Sequence, residues 1–202
     1  MLRGPLVFVD IDTQRDFLDP SGSLYIQGSQ SILPKLARLT NFAQDEKIPI
    51  LATSCAHHED DPEFQRFPPH CIVGTIGQQR ILETSVRNDQ IVDGYIVMEG
   101  DIPPHLTLEK QEIDVFTNPQ ASSVIDWYNR KRPTFVIYGV ATDFCVKAAV
   151  LGLLDRGCRT ALVVDAIRAI DQSAETELLT DFASRGTLLT LTEIVCEKSV
   201  AR

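Results

Sequence analysis

Short apolar runs alternate with longer amphipathic stretches along almost the whole chain. Residues 6–11, 48–53, 134–138, 160–164 and 187–191 are rich in β-branched and aromatic side chains and short enough to be strands. A further strand is expected either around Ile96 or over residues 106–109. Helical spacing predicts helices over residues 31–46, 121–129, 143–156 and 173–184. Gly157 and Gly186 follow two of these, where a left-handed C-cap is common. Ser173 opens the last, with acidic residues in a first turn that suits the helix dipole. Strands that are apolar throughout, separated by helices, predict a parallel sheet covered on both faces. The fold class is therefore α/β: a three-layer, Rossmann-like arrangement of a mainly parallel six-stranded sheet with helices on both faces.

No repeat, linker or low-complexity tract interrupts the 202 residues, so a single domain over 1–202 is expected. The stretch from Cys55 to Gly77 is long for a connection in a compact domain, and such loops are often functional. A net charge of −9 argues against a nucleic-acid partner. Gly74-Thr75-Ile76-Gly77 is not a phosphate-binding loop, and no nucleotide cofactor is expected. No signal peptide and no bilayer-spanning run is visible, so no membrane partner and a cytoplasmic location are expected. The five cysteines, an odd number without tight spacing, read as reduced thiols.

Three segments carry chemistry. In Tyr138-Gly-Val-Ala-Thr-Asp-Phe-Cys145-Val146 the cysteine falls where a strand turns into a helix. There the free N–H groups and the helix dipole favour a thiolate, the nucleophilic form, although many cysteines are simply small buried hydrophobes. In Val7-Phe-Val-Asp-Ile-Asp12-Thr-Gln-Arg-Asp16-Phe17 an apolar strand runs into Asp12, with Gln14 and Asp16 just beyond its carboxyl end. Sites in open α/β sheets form at such ends, and turn or cap roles are the alternative for both aspartates. In Leu106-Thr-Leu-Glu-Lys110 a short strand ends near a lysine that can share a crevice with Asp12 and Cys145.

Together these segments resemble the isochorismatase-like cysteine hydrolase superfamily, which includes the nicotinamidases. Asp12-Thr-Gln-Arg-Asp16-Phe17 matches its D-x-Q-x-D-F, Gly139 to Val146 matches its G-(V/I)-A-T-D-x-C-V, and Lys110 falls in the slot of its lysine. Phe67-Pro-Pro-His70-Cys-Ile-Val-Gly74-Thr75-Ile-Gly77 is similar to the W-P-x-H-C-V-x-G-T-x-G signature of nicotinamidases and close amidases. The resemblance implies a triad of Asp12, Lys110 and Cys145 that hydrolyses a small carboxamide through a thioester. Asp12 would move the proton, Lys110 would hold the charges and Cys145 would attack the carbonyl carbon. It implies an oxyanion hole from the backbone N–H groups of Ala141 and Cys145, with a cis peptide bond before Ala141. Phe17 and Val140 are expected to line the substrate pocket, and a homo-oligomer is expected.

The resemblance also implies a divalent metal. Its D-x-H pair would supply an aspartate and a histidine, joined by a later histidine; here His57 and His70 fit, but Cys55 stands where the aspartate would be. Two imidazoles with a thiolate, or with a carboxylate from Asp61 or Glu63, suit zinc. Packing for Cys55 and solvation for the histidines are the alternative, and His58 and His105 read as surface residues. Nicotinamide is the leading substrate. Other amides of ureido, carbamoyl or maleamate type come second, and an isochorismatase-like vinyl-ether hydrolase or a non-catalytic binding protein are readings from other classes.

Overall fold

The computed structural model describes residue 2, residues 4–93 and residues 102–197. The alternative strand at Ile96 lies outside them. Among the described residues are the strands β1 (Leu6–Ile11), β2 (Ile50–Cys55), β3 (Gln90–Val92), β4 (His105–Lys110), β5 (Thr134–Val140), β6 (Arg159–Arg168) and β7 (Leu188–Thr190). The helices are α1 (Arg15–Leu18), α2 (Leu33–Asp45), α3 (Ala121–Asn129), α4 (Lys147–Asp155), α5 (Glu175–Ser184) and α6 (Thr192–Val195). The strands form one parallel sheet in the order β3-β4-β2-β1-β5-β6-β7.

The sheet has seven strands where six were expected. Among the described residues the extra one, β3, pairs only with β4, and two of its three residues are exposed. So short and half-exposed a strand has no apolar run to announce it.

Residues of the central strands alternate between two apolar layers. Val7, Val9 and Ile11 face one layer, completed by Val124 and Ile125 of α3, Val150 and Leu153 of α4 and Phe182 of α5. Phe8, Ile50 and Tyr138 face the other, completed by Leu36 and Leu39 of α2 and Val195 of α6. Both faces of β1 and β5 are covered, which is why these strands are apolar throughout. None of the described helices is long and apolar enough to cross a membrane.

Topology fixes where a site can form. From β1 the chain moves outward to β2 and β4 on one side, while β5, β6 and β7 build the other, so the order reverses between β1 and β5. A crevice opens beyond the carboxyl ends of strands at such a reversal. Gly139 lets the two strand ends close there: its φ is 114°, and a Cβ on it would collide with the Ile11 carbonyl.

Candidate active site

Four charged or sulfur-bearing residues of the crevice sit at strand ends or just beyond them. Asp12 follows β1, Cys55 ends β2, Lys110 ends β4 directly opposite Cys55, and Cys145 lies in the turn after β5. That turn, Thr142–Val146, is a π-helical turn leading into α4. It is closed by the N–H groups of Phe144 and Val146, which both donate to the Ala141 carbonyl at 3.1 Å. The peptide bond between Val140 and Ala141 is cis.

The structure brings Asp12, Lys110 and Cys145 together. Lys110 Nζ lies 2.9 Å from Asp12 Oδ2 and donates to Cys145 Sγ at 3.4 Å. Asp12 is fully buried, and its Oδ1 accepts from the Thr53 hydroxyl at 2.5 Å. Burial alone would push the Lys110 ammonium down. The Asp12 carboxylate, helped by the two nearby sulfurs, outweighs it and holds Lys110 protonated well above its usual range. The Cys145 thiol is pushed well up, first by its hydrogen bond with Cys55 and then by burial, against the pull of Lys110. The Cys145 thiol is thus held toward its neutral form, not toward the thiolate that a helix N-terminus alone would favour. The hydrogen bond with Cys55 and then burial outweigh the dipole.

Cys55 joins this cluster as well. Its thiol accepts from Lys110 Nζ at 3.1 Å and lies 3.6 Å from Asp12 Oδ2. The hydrogen bond with Cys145 favours its thiolate, but burial and Asp12 win and its pKa is also raised.

On its other side Cys55 meets two histidines. Cys55 Sγ and one nitrogen each of His57 and His70 lie within 4.8 Å of one another, all three residues buried. The Nδ1 atoms are turned away. His57 Nδ1 pairs with Asp61 Oδ2 at 2.9 Å, and His70 Nδ1 donates to the Pro68 carbonyl at 2.9 Å. Asp61 therefore orients His57 and does not itself face the cluster. His57 Nε2 is buried without a hydrogen-bond partner. Burial lowers the pKa of His70 and keeps it neutral, as a ligand must be. Glu63 Oε1 lies 3.9 Å from His70 Nε2, its own pKa raised by burial. The donor set fits a divalent ion: two outward-held imidazoles, a sulfur, a nearby carboxylate and an orphaned nitrogen.

A pocket opens onto both groups. Its wall includes Phe17, Phe67, Ala141, Phe144, Cys145, Glu63 and Glu112. Phe67 stands edge-on to Phe144 at 5.4 Å between ring centroids. Phe17 is on the pocket wall, and Val140 is not. Val140 is fully buried in the apolar layer with Tyr138, and the adjoining Ala141 takes the place on the wall. Of the histidines read as surface residues, His58 is exposed and His105 opens β4 partly buried.

Several residues matter more than their sequence suggested. Gln14 Oε1 accepts from Cys55 N at 2.7 Å while its Nε2 donates to the Cys55 carbonyl at 2.8 Å. Asp16 is no simple cap. It accepts from the N–H groups of Cys71, at 2.6 Å, and Ser23, at 3.0 Å, and so ties down the segment beside His70. Gly77 packs so closely on the Asp16 carboxylate that a Cβ there would overlap it. All but the Asp16–Ser23 bond are contacts across tens of residues, and no local pattern announces them.

Residues 6–194 match the Isochorismatase domain family, and the chain belongs to it. The chain is 29% identical over 120 residues to nicotinamidase 1 of Arabidopsis thaliana, a match covering 54% of this chain and 42% of that protein, less than half its length. It is 23% identical over 200 residues to the nicotinamidase of Saccharomyces cerevisiae, covering 82% of this chain and 88% of that one. Its fold superposes on the pyrazinamidase of Pyrococcus horikoshii, solved in complex with zinc, with a TM-score of 0.76 at 24% identity over 92% of this chain and 98% of the other.

Proposed function

We propose that this protein is a cysteine amidohydrolase that cleaves a small carboxamide, with nicotinamide as the leading substrate. The observation that carries the reading is the contact of one lysine ammonium with both a buried carboxylate and a pocket-facing thiol at the topological switch point. The nicotinamidase relatives and the aromatic pocket favour a flat, heteroaromatic amide.

In this reading the neutral Cys145 thiol passes its proton to Asp12 as its sulfur attacks the amide carbon. Lys110 stabilises the charge on both partners while the proton moves. The negative oxygen of the tetrahedral intermediate is met by the N–H groups of Ala141 and Cys145; losing one such donor typically costs about a hundredfold or more in rate. Asp12 returns the proton to the leaving nitrogen, ammonia departs and a thioester remains on Cys145. Water, activated by Asp12, releases the acid. Cys55, His57 and His70 would hold a zinc ion, which would serve as a Lewis acid to bind and orient a ring nitrogen or other donor of the substrate.

One observation favours a second reading. A sulfur in place of a carboxylate at Cys55 alters the metal position, and an amide recognised without a metal, of ureido, carbamoyl or maleamate type, would suit the same three catalytic residues. Ammonia release from nicotinamide, pyrazinamide and those amides decides between them. Hydrolysis of none would sink both readings.

A further inference from the structure

Cys55 belongs to both halves of the site. Its sulfur, the Cys145 sulfur and an Asp12 carboxylate oxygen lie within 4.8 Å of one another, and Lys110 Nζ touches both sulfurs. All five cysteines are free, and Cys145 is the one that is not buried. Both cysteines border the same pocket, Cys55 buried and Cys145 partly exposed, so an oxidant entering it meets Cys145 first.

We propose that Cys55 and Cys145 form a reversible disulfide when a hydroperoxide enters the pocket, and that this bond switches the enzyme off. The proposal rests on Cys145 being the nucleophile for its effect on activity, though not for the bond itself. The components for each step are in place. Asp12 takes the Cys145 proton, and the thiolate attacks one peroxide oxygen. The O–O bond breaks, Cys145 becomes a sulfenic acid, and the hydroxide (or alkoxide) released takes the proton held by Asp12 and leaves as water (or alcohol). The Cys55 sulfur then attacks the Cys145 sulfur, the S–O bond breaks, and the departing hydroxide leaves as water with the Cys55 proton. Overall two thiols lose two hydrogens and one hydrogen peroxide is reduced to two waters. The Lys110 ammonium favours both attacks by stabilising whichever sulfur carries charge.

Closure requires the sulfurs to approach to about 2.05 Å. Cys145 sits on a turn and not within the sheet, so its side chain can rotate toward the fixed Cys55 at the end of β2. The bond removes the nucleophile and also takes the sulfur that would bind a metal, so disulfide and metal exclude one another. A carboxylate at position 55 could not act in this way. Without a resolving thiol, a sulfenic acid on Cys145 would be open to irreversible oxidation.

The test is to expose the purified protein to hydrogen peroxide, alkylate the remaining thiols and map the peptides by mass spectrometry. We expect a cross-linked peptide pair joining Cys55 to Cys145, a mass loss of two hydrogens, and loss of ammonia release that dithiothreitol restores. In Cys55→Ser the same treatment should carry Cys145 to the sulfinic acid, with no recovery on reduction. Sulfinic acid on Cys145 of the unmutated chain, with Cys55 still alkylated, would overturn the proposal. If the cross-link forms but the reduced chain releases ammonia from no amide, the bond stands and the reading of the reaction falls. If the reduced chain is active and no cross-link forms, the reverse holds.

Discussion

Gln14 grips the peptide of Cys55 at both ends, accepting from its N–H at 2.7 Å and donating to its carbonyl at 2.8 Å. A glutamine amide carries one acceptor and two donors, so a single side chain satisfies a strand end that has run out of neighbours. Gln14→Ala should leave two buried backbone groups unpaired, at about 1–3 kcal/mol each. Chemical denaturation would record the loss, and activity should fall because Cys55 is no longer held against Lys110. Unchanged stability would show that the grip is dispensable.

Cys145→Ala should reduce amide hydrolysis to background with the fold intact by circular dichroism. Iodoacetamide should label Cys145 before the other cysteines, since the other four are buried. Faster labelling of Cys55 or Cys71 without loss of activity would refute its role as nucleophile.

Asp12→Asn keeps the shape but removes the proton acceptor, and kcat should fall about 10²- to 10⁴-fold. Lys110→Met is the harsher change for stability, because it strands the buried Asp12 carboxylate; breaking such a pair costs about 3–5 kcal/mol. A Lys110→Met chain as stable as its parent would argue that Asp12 gains protonation or water instead.

Cys55→Asp should shift metal preference from soft toward hard ions, and His70→Ala should lower occupancy and raise KM more than it lowers kcat. Elemental analysis of the purified proteins checks the first and steady-state kinetics the second. A parent chain with no stoichiometric metal and no response to chelators would dismiss the centre.

Asp165 gives a pH signature away from the site. Its Oδ1 accepts from the N–H of Thr192, at 2.7 Å, and from the Thr192 hydroxyl, and Lys35 lies 3.2 Å from Oδ2. Burial would raise its pKa, but these partners outweigh burial and hold it below the usual carboxylate range. A lowered folded-state pKa stabilises above the unfolded value of about 3.9 and is lost as pH falls through the folded one. Asp165→Ala should cost about 1–2 kcal/mol at neutral pH, and the gap from the parent should narrow below about pH 4. A gap independent of pH would mean that packing, not charge, holds α6.

Strands and helices with strong apolar periodicity were legible almost to the residue: β1 and α3 occupy the residues that the pattern marked. The turn carrying Cys145 was not, because a π-helical turn has the same composition as the α-helix it precedes. Asp12, Lys110 and Cys145 could be proposed because each stands near a strand end and because the motifs around them resemble those of the isochorismatase-like hydrolases. The grip of Gln14, the anchoring of Cys71 by Asp16 and the turning of His57 by Asp61 were not readable. Each depends on a side chain's direction, and a motif fixes spacing but not aim. Val140 shows the same limit, since one step along the chain separates a buried residue from the pocket wall.

Glu63 and Glu112 on the pocket wall bear on the end of the reaction, not its beginning. The opposite charges of Asp12 and Lys110 offset one another, so an uncharged amide enters without an electrostatic penalty from the buried pair. In the proposed reaction hydrolysis would turn that guest into an anion beside two acidic side chains that an uncharged amide does not feel as a charge. The same wall would then disfavour the product, giving the proposed turnover a direction of exit.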